Sequence, residues 1–212
     1  MRTIDPRPDL GGKYLLDRLG ALLVFLVVAP LMAIIAAAIK IFDGGDVFFR
    51  QERVGLGGEK FKVWKFRTMI PDAFAIGKGY IPEGADLITP IGKLLRRTSL
   101  DELPQIFNIL KGDMSFVGPR PTLADQVAKY TERQMQRLRV KPGIAGWAQL
   151  HGRHSLSWSK RIEYDVEYVE RAGVLFDLLI LLRTPLSLLF EGDYVNHGSA
   201  TSVDDLGGAE AS

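Results

Sequence analysis

Side chains able to do chemistry crowd into residues 96–121, RRTSLDELPQIFNILKGDMSFVGPRP. Asp101 and Glu102 are adjacent carboxylates, with Arg96 and Arg97 about one turn upstream. Neighbouring helical residues point about 100° apart. One carboxylate can therefore face a phosphorus centre while the other holds a divalent cation. A helix N-terminus is itself an anion site. The same residues admit a plainer reading. Ser99 followed three positions later by Glu102 is a capping-box pattern, in which both acids only cap a helix and complement its dipole. Asp101 has the shorter side chain, so its oxygens can be held more rigidly in line for attack.

Other candidates flank this segment. In FKVWKF, residues 61–66, strand alternation puts Phe61, Val63 and Lys65 on one face. If that face is the core face, Lys65 points inward and needs an anionic partner; otherwise it is a solvated strand end. Pro119-Arg120-Pro121 fixes an arginine between two prolines, a stiff way to present a guanidinium to phosphate. Lys129, Arg133 and Arg137 recur every four residues and form one basic stripe on a helix, suited to anionic lipid or to solvent. Asp165 lies among aromatics in EYDVEY. His151 and His154 read as polar loop residues without a role.

These residues need elements to hold them. Residues 19–39, LGALLVFLVVAPLMAIIAAAI, carry no charge and meet the ~20-residue requirement of a membrane-spanning helix. Basic residues flank both ends, Lys13 and Arg18 before, Lys40, Arg50 and Arg53 after, so charge asymmetry does not orient a span. Pro30 near the middle favours a kink or break at Ala29-Pro30. A helix that enters, bends and returns leaves both flanks on one side; a straight span with a tolerated proline is the alternative. Beyond it lie strand-like pieces around 47–49 and 61–66, separated by Gly55-Leu56-Gly57-Gly58, and a polar loop at 77–89. Helices are expected at 91–97, 100–110, 122–139 and 159–171. Residues 174–190 are apolar but interrupted by Asp177, Arg183 and Pro185, which fits an interfacial helix. No internal repeat is visible. The expected organisation is a membrane-embedded segment, 1–45, a globular part, 46–191, and a disordered Gly/Ser/Asp-rich tail, 192–212.

Composition bounds the function. With 212 residues, 47% hydrophobic and 25% charged, the chain can bury a core and is neither a multi-span membrane protein nor a disordered one. The net charge is only +2, but residues 192–212 hold four acids and no Lys or Arg, so the first 191 residues carry 27 bases against 21 acids. Such a body suits an anionic partner. A nucleic-acid role is disfavoured, because the basic stripe lacks interleaved aromatics and any reader motif. Zero cysteines exclude a disulfide scaffold, a thiolate nucleophile and a cysteine zinc site.

RQERVGLGGEKFKVWKFRTM, the segment at 96–121, KPGIAGWAQLHGR and YDVEYV together resemble the bacterial sugar transferase family, the monotopic phosphoglycosyl transferases, over roughly residues 13–189. The similarity is to the short form, the catalytic module alone. The resemblance implies an α+β, mainly helical fold: an N-terminal re-entrant membrane helix hairpin plus a small globular catalytic domain with amphipathic interfacial helices. It implies a UDP-sugar donor and an undecaprenyl (polyprenol) phosphate acceptor. Asp101, followed by Glu102, would attack the β-phosphate, release UMP and carry the phosphosugar covalently. Lys65, Arg96 and Asp165 match the family's other catalytic positions. Arg67, Pro119, Arg120 and Pro121 match substrate-binding ones, and Pro30 matches the membrane break, with Ala29 where the family commonly has serine. Asp101 and Glu102 would hold Mg²⁺, for which Mn²⁺ would substitute. The implied location is the cytoplasmic face of the bacterial inner membrane, in contact with membrane lipid, without nucleic acid, and with a homodimer possible. A membrane-anchored lipid-binding scaffold without catalysis is the alternative, but it leaves the joint occurrence of Lys65, Arg96 and the acid pair unexplained.

Overall fold

A computed structural model of the chain describes residues 3–71, 73, 87–152 and 156–190. The charge-free run forms helix α1, Gly11–Ala38, continued by a π-helical turn, Ile39–Asp43. Among the described residues, Pro8–Asp43 is the stretch long and apolar enough to cross a membrane. Of the kink or break expected at Pro30, the structure shows no outright break: the helical backbone runs through it. A proline deletes one amide donor and favours a bend, but neighbouring turns can keep the run helical. Along one face Ala21, Phe25, Val28, Met32, Ile35 and Ile39 recur every three or four residues and pack on the globular part. The opposite face, including Leu23, Leu26 and Val27, is exposed.

Strands β1, Phe48–Val54, and β2, Lys60–Phe66, form an antiparallel hairpin across the glycine-rich turn at 55–58. Helix α2, Pro90–Arg97, follows, capped by the Thr89 side chain accepting from the Gly92 amide. The dyad segment is a 3-10 turn, Leu100–Gln105, leading into α3, Ile106–Lys111. Its backbone contradicts the capping box. Ser99 sits in the left-handed region at φ 57°, and its side chain does not cap the turn. The Glu102 carboxylate turns elsewhere. A non-glycine residue at positive φ costs energy and concentrates at functional sites.

A second, parallel two-stranded sheet, β3 (Ser115–Val117) with β4 (Gly143–Ala145), is too short to read from periodicity. The single helix expected over 122–139 is three pieces: α4, Ala124–Val127, α5, Glu132–Met135, and a 3-10 turn, Gln136–Arg139. Thr131 restarts the helix, because its hydroxyl accepts from the Gln134 amide while Gln134 reaches back to the Thr131 amide. The basic stripe dissolves with that helix. Arg133 pairs with Glu163 at the surface, whereas Arg137 is buried. α6, Trp147–Leu150, α7, Trp158–Arg171, and α8, Val174–Phe190, complete the described chain. The tail, most of the 77–89 loop and His154 lie outside the described residues. His151 packs between Trp147 and Tyr164.

α1 and α8 meet over polar groups as well as apolar ones. Lys13 Nζ lies 2.8 Å from Asp177, 3.0 Å from Asp17 and 2.5 Å from Ser115 Oγ, and the Tyr168 hydroxyl donates 2.8 Å to Asp177. α8 turns Asp177 and Ile180 inward and leaves Leu175, Leu178 and Leu182 exposed.

Candidate active site

Two elements carry the dyad and its first partner. Asn108, buried at the start of α3, completes the open edge of β2: its side-chain oxygen accepts from the Trp64 amide at 3.0 Å and its amide donates to the Lys62 carbonyl at 2.8 Å. That docking lays the dyad turn against β2. Lys65 Nζ then reaches Glu102 Oε1 at 2.6 Å, which supplies the anionic partner its strand position requires. Arg120 closes on the same carboxylate as a fork, 2.7 Å to Oε1 and 3.4 Å to Oε2.

The two acids are driven apart electrostatically. Burial pushes Glu102 up, but Arg120 and Lys65 outweigh it and hold the carboxyl well below the ordinary range. Asp101 moves the other way. Burial raises it and the charge of Glu102 adds to that, against the pull of Lys65, Arg96 and Arg120. Glu102 is clamped by hydrogen bonds, whereas among the described residues Asp101 is influenced by burial and by neighbouring charge.

Arg96 is held from behind: its Nε donates 2.9 Å to Thr68 Oγ. Gly92 makes that contact possible, because a Cβ there would fall 2.1 Å from the Thr68 carbonyl oxygen. Burial lowers the Arg96 guanidinium, partly offset by Asp101.

The structure does not bring every expected residue to this cluster. Asp165 is buried in α7 against Arg137, 2.5 Å away, with side-chain exposures of 3% and 1%. Arg137 also donates to the Arg120 carbonyl at 2.9 Å and the Tyr130 hydroxyl at 2.6 Å. Asp165 therefore bears on the Pro119-Arg120-Pro121 turn through Arg137 and, among the described residues, makes no hydrogen bond or ion pair with the dyad. Pro119 and Pro121 shape that turn, and the Pro119 carbonyl accepts from the Gly143 amide at 3.0 Å. Arg67 donates to the carbonyls of Asp43 and Gly44, fastening the end of α1. Pro30 lies within α1.

Arg137, Asn108, Thr68 and Arg53 were not singled out from sequence as site residues. Strand alternation could have found Arg53. The register pairs Phe49 with Lys65 and Arg53 with Phe61, so Arg53 shares the face of Lys65.

Among the described residues no three His, Asp or Glu side chains gather around a metal-sized space. Asp101 and Glu102 are nonetheless hard oxygen donors. They fit an ion such as Mg²⁺, which commonly takes one or two carboxylates while phosphate oxygens and water fill the rest. As a whole the cluster can attract a phosphorylated substrate and offer it a half-buried carboxylate.

A model of the bacterial sugar transferase family matches residues 9–191. An uncharacterised sugar transferase, EpsL of Bacillus subtilis, is 43% identical over 190 residues, 89% of this chain and 93% of the relative. The exopolysaccharide production protein ExoY of Rhizobium meliloti is 37% identical, covering 87% of this chain and 90% of the relative. A UDP-glucose:undecaprenyl-phosphate glucose-1-phosphate transferase of Xanthomonas campestris is 42% identical over 187 residues, 84% of this chain; the match spans 39% of that longer protein.

Proposed function

The chain belongs to the bacterial sugar transferase family, and on that premise we propose that it moves a sugar 1-phosphate from a UDP-sugar to undecaprenyl phosphate, with Asp101 as a covalent carrier. The observation that carries this reading is the division of labour in the dyad. Glu102 is tied to Lys65 and Arg120, while Asp101 is half-buried beside the same cations and Arg96 without being tied to them. A passive scaffold has no use for such an arrangement.

An oxygen of ionised Asp101 attacks the β-phosphorus, and the bond from that phosphorus to the bridging oxygen breaks. UMP leaves with the bonding pair, and the phosphosugar stays on the enzyme as an acyl phosphate. A phosphate oxygen of undecaprenyl phosphate then attacks the same phosphorus and the Asp101 carboxylate departs, giving undecaprenyl diphosphate-sugar. Both steps pass through the one site, so the two bulky substrates use it in turn. Attack of one anion on another needs the charges offset, and Lys65, Arg96 and Arg120 supply that offset. Mg²⁺, held by Asp101 and Glu102 together with substrate phosphates, would add positive charge at the transferring group.

The same reading puts the protein at the cytoplasmic face of the inner membrane, with α1 entering and leaving from one side. Support comes from the way one globular body grips both ends of α1. Lys13 is buried against Asp177 and Ser115 at one end, and Met32, Ile35 and Ile39 share a core with Val63, Phe66 and Ile106 at the other.

The test is enzyme with each of a panel of UDP-sugars, Mg²⁺ and no acceptor. With the right donor, UMP is released to about one equivalent and intact mass rises by one phosphosugar, mapping to the Asp101 peptide. EDTA blocks both signals, and Asp101→Asn, nearly isosteric, gives neither. An adduct on Glu102, or one that still forms in Asp101→Asn, overturns the assignment.

A further inference from the structure

We propose that Arg53 is a further phosphoryl-binding residue of this site, an assignment that rests on the function proposed above. Three placements point to it. First, β1 runs antiparallel to β2 with Phe49 opposite Lys65 and Arg53 opposite Phe61, so Arg53 projects from the same face as Lys65. Second, the next residue, Val54, donates its amide 2.9 Å to the Thr122 carbonyl. That bond seats the end of β1 against the turn that presents Arg120. Third, the Arg53 side chain is half-buried, and it donates to a neutral group, Gln51 Oε1 at 2.6 Å. Among the described residues no ion pair joins it to a carboxylate.

A half-buried guanidinium held by an amide oxygen has its direction fixed while its charge stays uncompensated. Burial, then the nearby Arg120, brings its pKa down to about 10, against the weaker pull of Asp125 and Glu102; the group stays cationic at neutral pH. Around the dyad this makes four cations, Arg53, Lys65, Arg96 and Arg120, against the two acids and Asp125. A net positive charge remains even with Asp125 counted. Glu102 already occupies Lys65 and Arg120, so of the four cations Arg53 and Arg96, each bonded among the described residues to a neutral group, keep capacity for an incoming anion. The ligand of Arg53 is a phosphoryl oxygen, from either the nucleotide diphosphate or the polyprenyl phosphate.

Binding separates this proposal from the transfer chemistry, because UDP alone is a ligand that cannot react. In calorimetry, Arg53→Gln is expected to weaken UDP by about ten- to a hundredfold. Arg53→Lys, which keeps charge but not the fork, is expected to lose less. If UDP affinity holds but discharge of a preformed phosphosugar adduct to undecaprenyl phosphate slows by a similar factor, the phosphate is the acceptor's. Unchanged UDP affinity together with unchanged discharge overturns the proposal. Should Arg53→Gln fail to fold, the wild-type protein decides the matter: UDP or undecaprenyl phosphate must protect Arg53 from phenylglyoxal, read by peptide mass spectrometry. Modification of Arg53 unaffected by either ligand counts against it. Failure of the Asp101 adduct experiment removes the discharge measurement but leaves UDP calorimetry and phenylglyoxal protection by UDP or undecaprenyl phosphate intact, so the two proposals fail separately.

Discussion

Two carboxylates one residue apart behave as different reagents because of what reaches each. Glu102, held low by Arg120 and Lys65, stays ionised through any practical assay pH, while burial and the Glu102 charge lift Asp101. Environments that push neighbouring pKa values apart assign acid and base roles. A nucleophilic carboxylate must be ionised, so activity falls when pH drops through the Asp101 pKa, and that limb is shifted upward from the ordinary aspartate value. The sign of one change follows. Removing the Glu102 charge takes away a group that raises Asp101 and frees Lys65 and Arg120 to lower it, so the limb moves to lower pH. Single-turnover UMP release against pH, in wild type and in Glu102→Gln, measures this whatever the residual rate. A limb that stays put or moves up would show that the titrating group is not Asp101 beside Glu102.

At the scale of elements, the site depends on backbones packed closer than any side chain permits. A Cβ on Gly118 would lie 2.2 Å from the Lys141 carbonyl oxygen and 2.9 Å from the Gly143 amide nitrogen. Neither can swing aside. Gly118→Ala must therefore separate β3 from β4 and shift the turn bearing Arg120. A stability loss of about 1–3 kcal/mol is expected in urea, together with slower adduct formation. An unchanged unfolding midpoint would mean the turn yields without cost. What sequence made legible divides along the same line. Lys65 and the Asp101-Glu102 pair sit in local patterns, a strand alternation and a helical turn, and such patterns show in a single sequence. The partner of Asp165 does not: Arg137 lies 28 positions away and reads as one step of a surface stripe unless the local Thr131–Gln134 capping box is weighed as a break in 122–139. The capping box expected at Ser99 fails for a tertiary reason. Lys65 and Arg120 are stronger partners for Glu102 than a backbone amide, and once they take it, Ser99 is left in a conformation that local rules disfavour.

Taken whole, the molecule reverses the usual soluble arrangement along two helices. α1 and α8 turn Lys13, Asp17 and Asp177 toward each other and expose leucines, with Leu175 at 84% and Val27 at 79%. A large exposed apolar surface of this kind needs lipid or a partner to cover it. The geometry constrains how lipid can do so. The chain before α1 is strapped to the globular body, Arg7 donating its amide 2.9 Å to the Arg139 carbonyl and its guanidinium 2.5 Å to the Val169 carbonyl. The chain after α1 is held to the same body by Arg67. A body carrying this many charges cannot sit in hydrocarbon, and this packing supports the proposed topology, with both ends of α1 on the body's side of the membrane. The absence of native cysteines makes a clean experiment. Gly11→Cys has open space around the new Cβ, and Asp46→Cys replaces an exposed residue past the end of the helix. Neither cysteine should react with a membrane-impermeant thiol reagent added outside intact spheroplasts, and both should react once the membrane is permeabilised. Labelling of Gly11→Cys from outside, with Asp46→Cys protected, would establish a straight span. It would also require the N-terminal strap and the Lys13 network to come apart in the membrane.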